Sequence, residues 1–206
     1  MRYSDIAARN RAAYGPDAAA DRDTFAKEPW KLSERSAFLS RLRAARASSL
    51  LEVGSGTGQD SAWFQSEGLD VTAVDMSPSM VERTAAKGVR AYPRDVLDLG
   101  FPAESFDAVW SMNTLLHVPT DAMDEALASI CSVLRPGGLF HLGVFGGKHE
   151  EGVMAEDHHT PPRFFAFRTD EQMLSLAARH FEILDFHVYA VGVRYQSLAL
   201  VRPVQW

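Results

Sequence analysis

Residues 50–58, Leu-Leu-Glu-Val-Gly-Ser-Gly-Thr-Gly, constrain this chain more than any other stretch. A mostly apolar run enters three glycines at alternate positions, Gly54, Gly56 and Gly58, and the polar pair Gln59-Asp60 opens a helix-like segment. The pattern predicts a buried strand, a tight turn and a helix start. Glycine lacks a Cβ, so such a turn admits positive φ and lets a ligand approach the backbone. The first turn of the following helix offers unpaired N–H groups, which suit the polar or negative part of a small molecule, often a nucleotide. A dinucleotide fingerprint places two residues between its second and third glycines. Here Thr57 alone separates Gly56 from Gly58, and the acidic Glu52 stands two residues before the first glycine. The spacing therefore opposes a nicotinamide dinucleotide.

At 206 residues the chain fits one domain, 1–206, with ample length for a core. Its 46% hydrophobic and 23% charged content match a soluble globular protein. No apolar run approaches the roughly 20 residues that a membrane span needs. The N-terminus, Met1-Arg2-Tyr3-Ser4-Asp5, shows no apolar leader, and Cys131 is the sole cysteine, which rules out an internal disulfide. A cytoplasmic location is the default expectation. The formal net charge is −6, whereas a protein that grips long phosphate backbones usually shows a basic face. The nearest candidate, Arg35, Arg41, Arg43 and Arg46, reads as the solvated side of a helix whose apolar side is Phe38, Leu39 and Leu42. Nucleic acid is disfavoured as a partner and a small molecule favoured; the oligomeric state is left open.

Residues 1–47 read as a helical N-terminal cap, rich in Ala and Arg and broken near Gly15-Pro16 and at Pro29. Strands are expected at 48–53, 69–75, 89–92, 106–110 and 139–145. Between them, helices are expected at 59–67, ended by Gly68, and from the cap Ser77-Pro78 to about Lys87. Another helix runs from about Thr120 to Leu134, where Met123, Leu127, Ile130 and Val133 recur at three- and four-residue steps. Thr169 caps a further helix to Arg179, and two closing strands, 181–190 and 195–201, are joined by a short Gly192 link that lets them pair antiparallel. Alternation of strand and helix predicts an α/β, Rossmann-like, mostly parallel sheet with helices on both faces. Ligands on such sheets bind beyond the carboxyl ends of the strands. The glycine loop, Asp75, Asp95 and Ser111 each follow an expected strand and should converge there.

Asp75 stands about 20 residues after the glycine loop, the separation expected of a carboxylate that accepts from both ribose hydroxyls; the alternative is a plain turn residue. Met76 then lies against an adenine face or packs in the core. Asp95 can accept from an adenine amino group while the Val96 amide donates to a ring nitrogen, or Asp95 is a solvated loop residue. Glu52 either meets an amino group through water or caps the loop amides.

Five stretches carry a resemblance in order and spacing: residues 51–58, Val74-Asp75, Asp95-Val96, Phe106-Asp107-Ala108-Val109 and Leu134-Arg135-Pro136-Gly137-Gly138. Together they resemble the successive motifs of class I S-adenosylmethionine-dependent methyltransferases, in particular the ubiquinone/menaquinone-methyltransferase-like branch called type 11, over about residues 48–145. The resemblance implies a seven-stranded sheet with an antiparallel last strand. It implies S-adenosylmethionine as methyl donor and S-adenosylhomocysteine as product, held by Glu52, Gly54, Ser55, Gly56, Gly58, Asp75, Met76, Asp95 and Val96. It also implies that Ser111-Met112-Asn113-Thr114 borders the methionine moiety and the acceptor, and that Tyr14 in the N-terminal cap touches the donor. For both Tyr14 and Trp30 the alternative is aromatic packing onto the sheet.

Ser111-Met112-Asn113-Thr114 lacks the Asp/Asn-Pro-Pro-Tyr/Phe of many nucleobase amino methyltransferases, and Cys131 lies mid-helix, away from any nucleophile position for cytosine C5 chemistry. Both absences favour O- or N-methylation of a small molecule over RNA or protein methylation, or over donor binding without turnover. His117 is the candidate general base for a hydroxyl acceptor, since imidazole titrates near neutrality; it can equally orient a loop. Residues 146–168 form the least regular long stretch and are expected to be a substrate lid, with Phe164, Phe165 and Phe167 as pocket walls or core and Arg163 facing an acidic acceptor. His158-His159 lacks the ligand spacing of a zinc site, so no metal is expected.

Overall fold

The computed structural model describes residues 1–204. Three helices open the chain: α1 (Tyr3–Ala13), α2 (Pro16–Arg22) and α3 (Pro29–Ala44). The breaks fall at Gly15 and before Pro29, where a proline begins each following helix. Then come β1 (Ser49–Val53), α4 (Gln59–Ser66), β2 (Asp70–Asp75), α5 (Pro78–Ala86), β3 (Arg90–Pro93) and β4 (Phe106–Met112). They are followed by α6 (Met123–Val133), β5 (Leu134–Gly146), β6 (Glu150–Val153), β7 (Phe164–Phe167), α7 (Asp170–Ala177), β8 (Glu182–Val191) and β9 (Val193–Val201). Short 3₁₀ turns at Leu115–His117 and Thr120–Ala122 connect β4 to α6.

Seven strands form one sheet in the order β3-β2-β1-β4-β5-β9-β8. β9 alone runs antiparallel to both neighbours, inserted between β5 and β8. The sheet is covered on both faces because neighbouring residues of the central strands point to opposite sides. Leu51, Val53, Val109, Phe140 and Leu142 pack with Leu127 and Ile130 of α6 and Met173 of α7. Leu50, Ala108 and Trp110 pack with Phe38, Leu39 and Leu42 of α3 and Phe64 of α4. No helix among the described residues is long and apolar enough to cross a membrane.

The expected solvated face of α3 holds for Arg41 and Arg43, which are exposed; Arg46 is exposed too but lies past the end of the helix with φ 55°, and Arg35 turns inward to Asp60. β5 starts five residues earlier than expected. Gly137 donates to Arg202 O and Arg202 to Gly138 O, so backbone pairing with the chain beyond β9 holds the Pro-Gly-Gly stretch in the strand as an irregularity with Gly137 at φ 77°; the shift in register against β4 falls here. Thr169 caps α7 reciprocally with Gln172, as its sequence position suggests.

The stretch 146–168 is more regular than expected, because β6 and β7 pair antiparallel within it. Phe164 and Ala166, two apart on one strand face, pack on Ile6 of α1. The Asn10 side-chain amide receives the Phe164 N–H at 2.8 Å and donates to its carbonyl at 3.2 Å. A helix side chain thus supplies β7 with the pair of hydrogen bonds that a neighbouring strand would.

Candidate active site

β1 runs into the glycine loop, where the Gly54 and Ser55 amides bond Val74 O on β2 at 2.8 and 3.0 Å. Gly54, Gly56 and Gly58 all have positive φ, 77°, 54° and 78°. A Cβ on Gly54 would stand 1.9 Å from Thr114 Oγ1, and one on Gly58 2.7 Å from Thr84 Oγ1. Two of the three glycines are therefore required by packed threonines as much as by any ligand. Gly54→Ala should be destabilising by about 1–3 kcal/mol from the strained φ alone, with displacement of Thr114 in addition. Denaturant unfolding checks it, and a variant as stable as wild type would contradict the close packing.

Asp75 ends β2 and joins the loop to the following turn. Its Oδ2 accepts from the Gly56 N–H at 2.8 Å and its Oδ1 from the Ser77 N–H at 2.9 Å. Burial pushes its carboxyl up to about 6, against the opposing pull of those two amides. An ionised carboxylate has about four acceptor positions, so each oxygen keeps one for a hydroxyl in the pocket. That remaining capacity fits a ribose diol.

The pocket encloses about 760 Å³ of empty space, its open mouth included. Asp75, Met76, Met80, Val96, Tyr14 and His117 all line it. Asp95 does not line it. Its Oδ1 accepts from the Tyr3 hydroxyl and from the Leu97 N–H, so the neighbouring Arg94 and Val96 face the pocket instead. Ser111 is also displaced from its expected place. β4 extends through Met112, which leaves Ser111 inside the sheet at 1% exposure. Asn113 then takes a left-handed backbone, φ 59°, a conformation that Asn tolerates better than most residues. Met112, Asn113 and Thr114 line the pocket as a result.

A second hollow lies across the glycine loop and shares Arg22, Gly54, Gly56, Met112 and Asn113 with the first. Glu52, Ser55, Asp60, Lys27 and Lys31 contribute to its walls. Glu52 is 4% exposed, accepts from the Ser61 hydroxyl, and is pushed well above the usual carboxylate range by burial and by the nearby Asp60 charge. Asp60 itself accepts from Lys27 Nζ at 2.8 Å, Arg35 at 3.1 Å and Trp110 Nε1 at 3.2 Å.

Tyr14 points into the pocket, whereas Trp30 packs on Tyr189 and Tyr195 at the far end of the sheet. His117 Nδ1 lies 2.8 Å from Phe164 O, an acceptor, so Nδ1 carries the proton and donates. Nε2 therefore accepts the Tyr14 hydroxyl at 2.8 Å. Burial pushes the imidazole down to about 4, which makes it a neutral acceptor at pH 7. Arg163 does not face the pocket as expected. It pairs with Asp157 through Nε and Nη2 and donates to the Tyr14 oxygen at 2.7 Å. Phe164, Phe165 and Phe167 line neither hollow; Phe164 is core, and Phe165 stacks on Phe167 and lies against His117. His159 turns to Asp157, and among the described residues no group of three or more His, Cys, Asp or Glu gathers as metal ligands.

Arg22, Tyr3 and Met80 line the pocket without having been expected to. Arg22 belongs to a short, polar, alanine-rich helix that carries no periodic signal of its own, and only the three-dimensional placement of α2 brings it over Gly56.

The strand order, the glycine loop and the acid at the end of β2 together define the class as the S-adenosylmethionine-dependent methyltransferase fold. Residues 51–142 match the model of the methyltransferase domain. Across 98% of this chain and 91% of the other, the fold superposes with a TM-score of 0.79 and 25% identity on the Burkholderia thailandensis 1,6-didemethyltoxoflavin-N1-methyltransferase, solved with bound 1,6-didemethyltoxoflavin and S-adenosylhomocysteine. A malonyl-[acyl-carrier protein] O-methyltransferase of Herminiimonas arsenicoxydans is 33% identical over 80% of this chain and 64% of its own length. The 27-O-demethylrifamycin SV methyltransferase of Amycolatopsis mediterranei is 31% identical over 59% of this chain and 47% of its own. The chain spans about half the length of several of the curated relatives it matches.

Proposed function

We propose that the protein transfers a methyl group from S-adenosylmethionine to a small-molecule acceptor, at oxygen or nitrogen. The observation that carries the reading is the pocket itself, which brings Asp75, Met76 and Val96 together with Asn113, Tyr14 and His117. The likeness to relatives that methylate small molecules supports it.

The donor, when bound, supplies an electrophilic methyl on a sulfonium. Asp75 would accept from its ribose hydroxyls, and Met76 and Val96 would enclose the base. The loop of Gly54, Ser55, Gly56 and Gly58, with Glu52 and the second hollow, would hold the amino-acid end. Transfer from a sulfonium depends above all on in-line placement, which these walls provide by excluding water and fixing both reactants. For a hydroxyl acceptor the base is His117, reached through Tyr14, whose hydroxyl occupies Nε2 in this structure. Residues 146–168 cover the acceptor, tied down by Asn10 and by the Arg163–Asp157 pair. The single cysteine accords with a cytoplasmic setting.

Calorimetry with S-adenosylhomocysteine and with NAD tests the donor. Binding of the first and no heat from the second is expected from the acid and glycine spacing; tight NAD binding with no response to S-adenosylhomocysteine would sink the assignment. Screening acceptors for release of S-adenosylhomocysteine then separates turnover from binding alone.

A further inference from the structure

On the face opposite α6, α3 meets the antiparallel end of the sheet through one buried carboxylate. Glu34 is 5% exposed. Its Oε1 accepts from His187 Nε2 at 2.7 Å and from the Tyr189 hydroxyl at 2.8 Å, and its Oε2 accepts from the Ser197 hydroxyl. Burial alone would raise this carboxyl, but the three donors outweigh burial and hold it below its ordinary value. The other ring nitrogen of His187, Nδ1, lies 2.7 Å from Asp185 Oδ2. Both ring nitrogens therefore face carboxylate oxygens. A neutral imidazole can donate at only one nitrogen, whereas the imidazolium donates at both. The geometry is that of a charged His187 between two acids, one on α3 and one on its own strand.

Other titratable groups surround this point. Tyr189 on β8 and His141 on β5 face the same Glu34; His141 Nε2 is 3.9 Å from Oε2 with no hydrogen-bond partner, and burial holds it neutral. On β9, Ser197 completes the ring of donors. Burial works against charge on His187, but Glu34 and Asp185 prevail and raise it above an ordinary histidine.

α3 also reaches the donor site. Arg35, next in sequence to Glu34, donates to Asp60 in the first turn of α4, directly after the glycine loop. Lys27, just before α3, bonds the same Asp60, and Lys31 in its first turn lines the second hollow. Trp110, stacked on His141 at 4.0 Å, donates to Asp60 as well. Two short chains of contacts thus run from the Glu34–His187 pair to Asp60.

We infer that protonated His187 is a positioning residue that clamps α3 to the edge of the sheet and thereby sets the second hollow and the glycine loop for the donor. The sign follows from linkage. A histidine whose folded pKa is raised contributes stability that is complete below its unfolded value and lost as pH rises through the folded value. Deprotonation leaves one of the two carboxylates without its donor, and α3 loosens at the Glu34 end. The link to the donor rests on the reading of function above; the clamp itself does not.

Histidine ring NMR on the whole protein tests the clamp, with the His187 signal assigned by its loss in His187→Gln. It should titrate above an ordinary histidine and move down in Glu34→Gln and, should that buried variant fail to fold, in Asp185→Asn. Titration at or below the ordinary value, or indifference to both acids, overturns the clamp. Calorimetry with S-adenosylhomocysteine tests the coupling. Wild type should bind roughly 5-fold tighter than His187→Gln at pH 6, and the difference should vanish above the His187 titration. A ratio constant with pH overturns the coupling. Absence of any binding by wild type overturns the functional reading and the coupling with it, while the NMR titration still decides the clamp.

Discussion

Asp75→Ala should lower affinity for S-adenosylhomocysteine about a hundredfold or more while the protein stays folded. Two hydrogen bonds to a charged acceptor, each worth roughly 1.5–3 kcal/mol, are removed together. The substitution also frees the Gly56 and Ser77 amides, which Asp75 now holds, so the loop loses order as the ribose loses its partner. Calorimetry alongside a thermal melt separates the two effects. A folded variant that binds like wild type would reduce Asp75 to a turn residue. Acid should mimic the mutation. The charged carboxylate is the form that accepts from the ribose, so affinity should fall as pH drops through about 6, and Asp75→Asn should lack that dependence. Without ligand the sign is opposite. A carboxyl whose folded pKa lies above its ordinary value holds its proton more tightly in the folded chain, so protonation of Asp75 favours the fold while disfavouring the donor.

The second large effect is expected at Arg168, 1% exposed and without a carboxylate in salt-bridge range among the described residues. Its guanidinium donates to Leu115 O and Ala166 O at 3.3 Å and to Val118 O at 2.6 Å. It therefore fixes both ends of the 3₁₀ turn that carries His117 and joins that turn to β7. Burial lowers its pKa to about 10, still charged at neutrality. Arg168→Met keeps the bulk but removes three hydrogen bonds from a charged donor, each worth roughly 1.5–3 kcal/mol; of the three acceptors, Leu115 O keeps a second donor, the Val118 N–H at 3.3 Å. A loss of roughly 3–5 kcal/mol is expected, which in a domain of this size lowers Tm by about 10 °C. Scanning calorimetry measures it. Equal or greater stability in Arg168→Met would mean that desolvating the guanidinium costs as much as its three bonds return.

The glycine loop, Asp75 and the doubly wound sheet were legible because each rests on local chemistry: a period, a turn residue, an acid at a strand end. Thr169 and Ser77 could be recognised as caps for the same reason. What escaped depends on partners distant in sequence. Nothing in Arg94-Asp95-Val96 shows that Tyr3, 92 residues earlier, takes the Asp95 carboxylate. Nothing in Pro162-Arg163-Phe164 shows that Tyr14 and Asp157 claim Arg163 before an acceptor can. The hairpin of β6 and β7 was hidden because β7 is only four residues long, and its two buried positions gain their meaning from Ile6 on another element.

The position of β9 bears on how the molecule is made. β8 pairs only with β9, and β9 sits between it and β5. During synthesis β8 leaves the ribosome first and has no sheet to join until the nine residues of β9 have followed and docked on β5. That half of the sheet must therefore close after translation has passed residue 201, and until then the apolar edge of β5 stands open to other chains. Nascent chains halted between 191 and 201 should be the aggregation-prone ones, and completion of β9 should end the exposure.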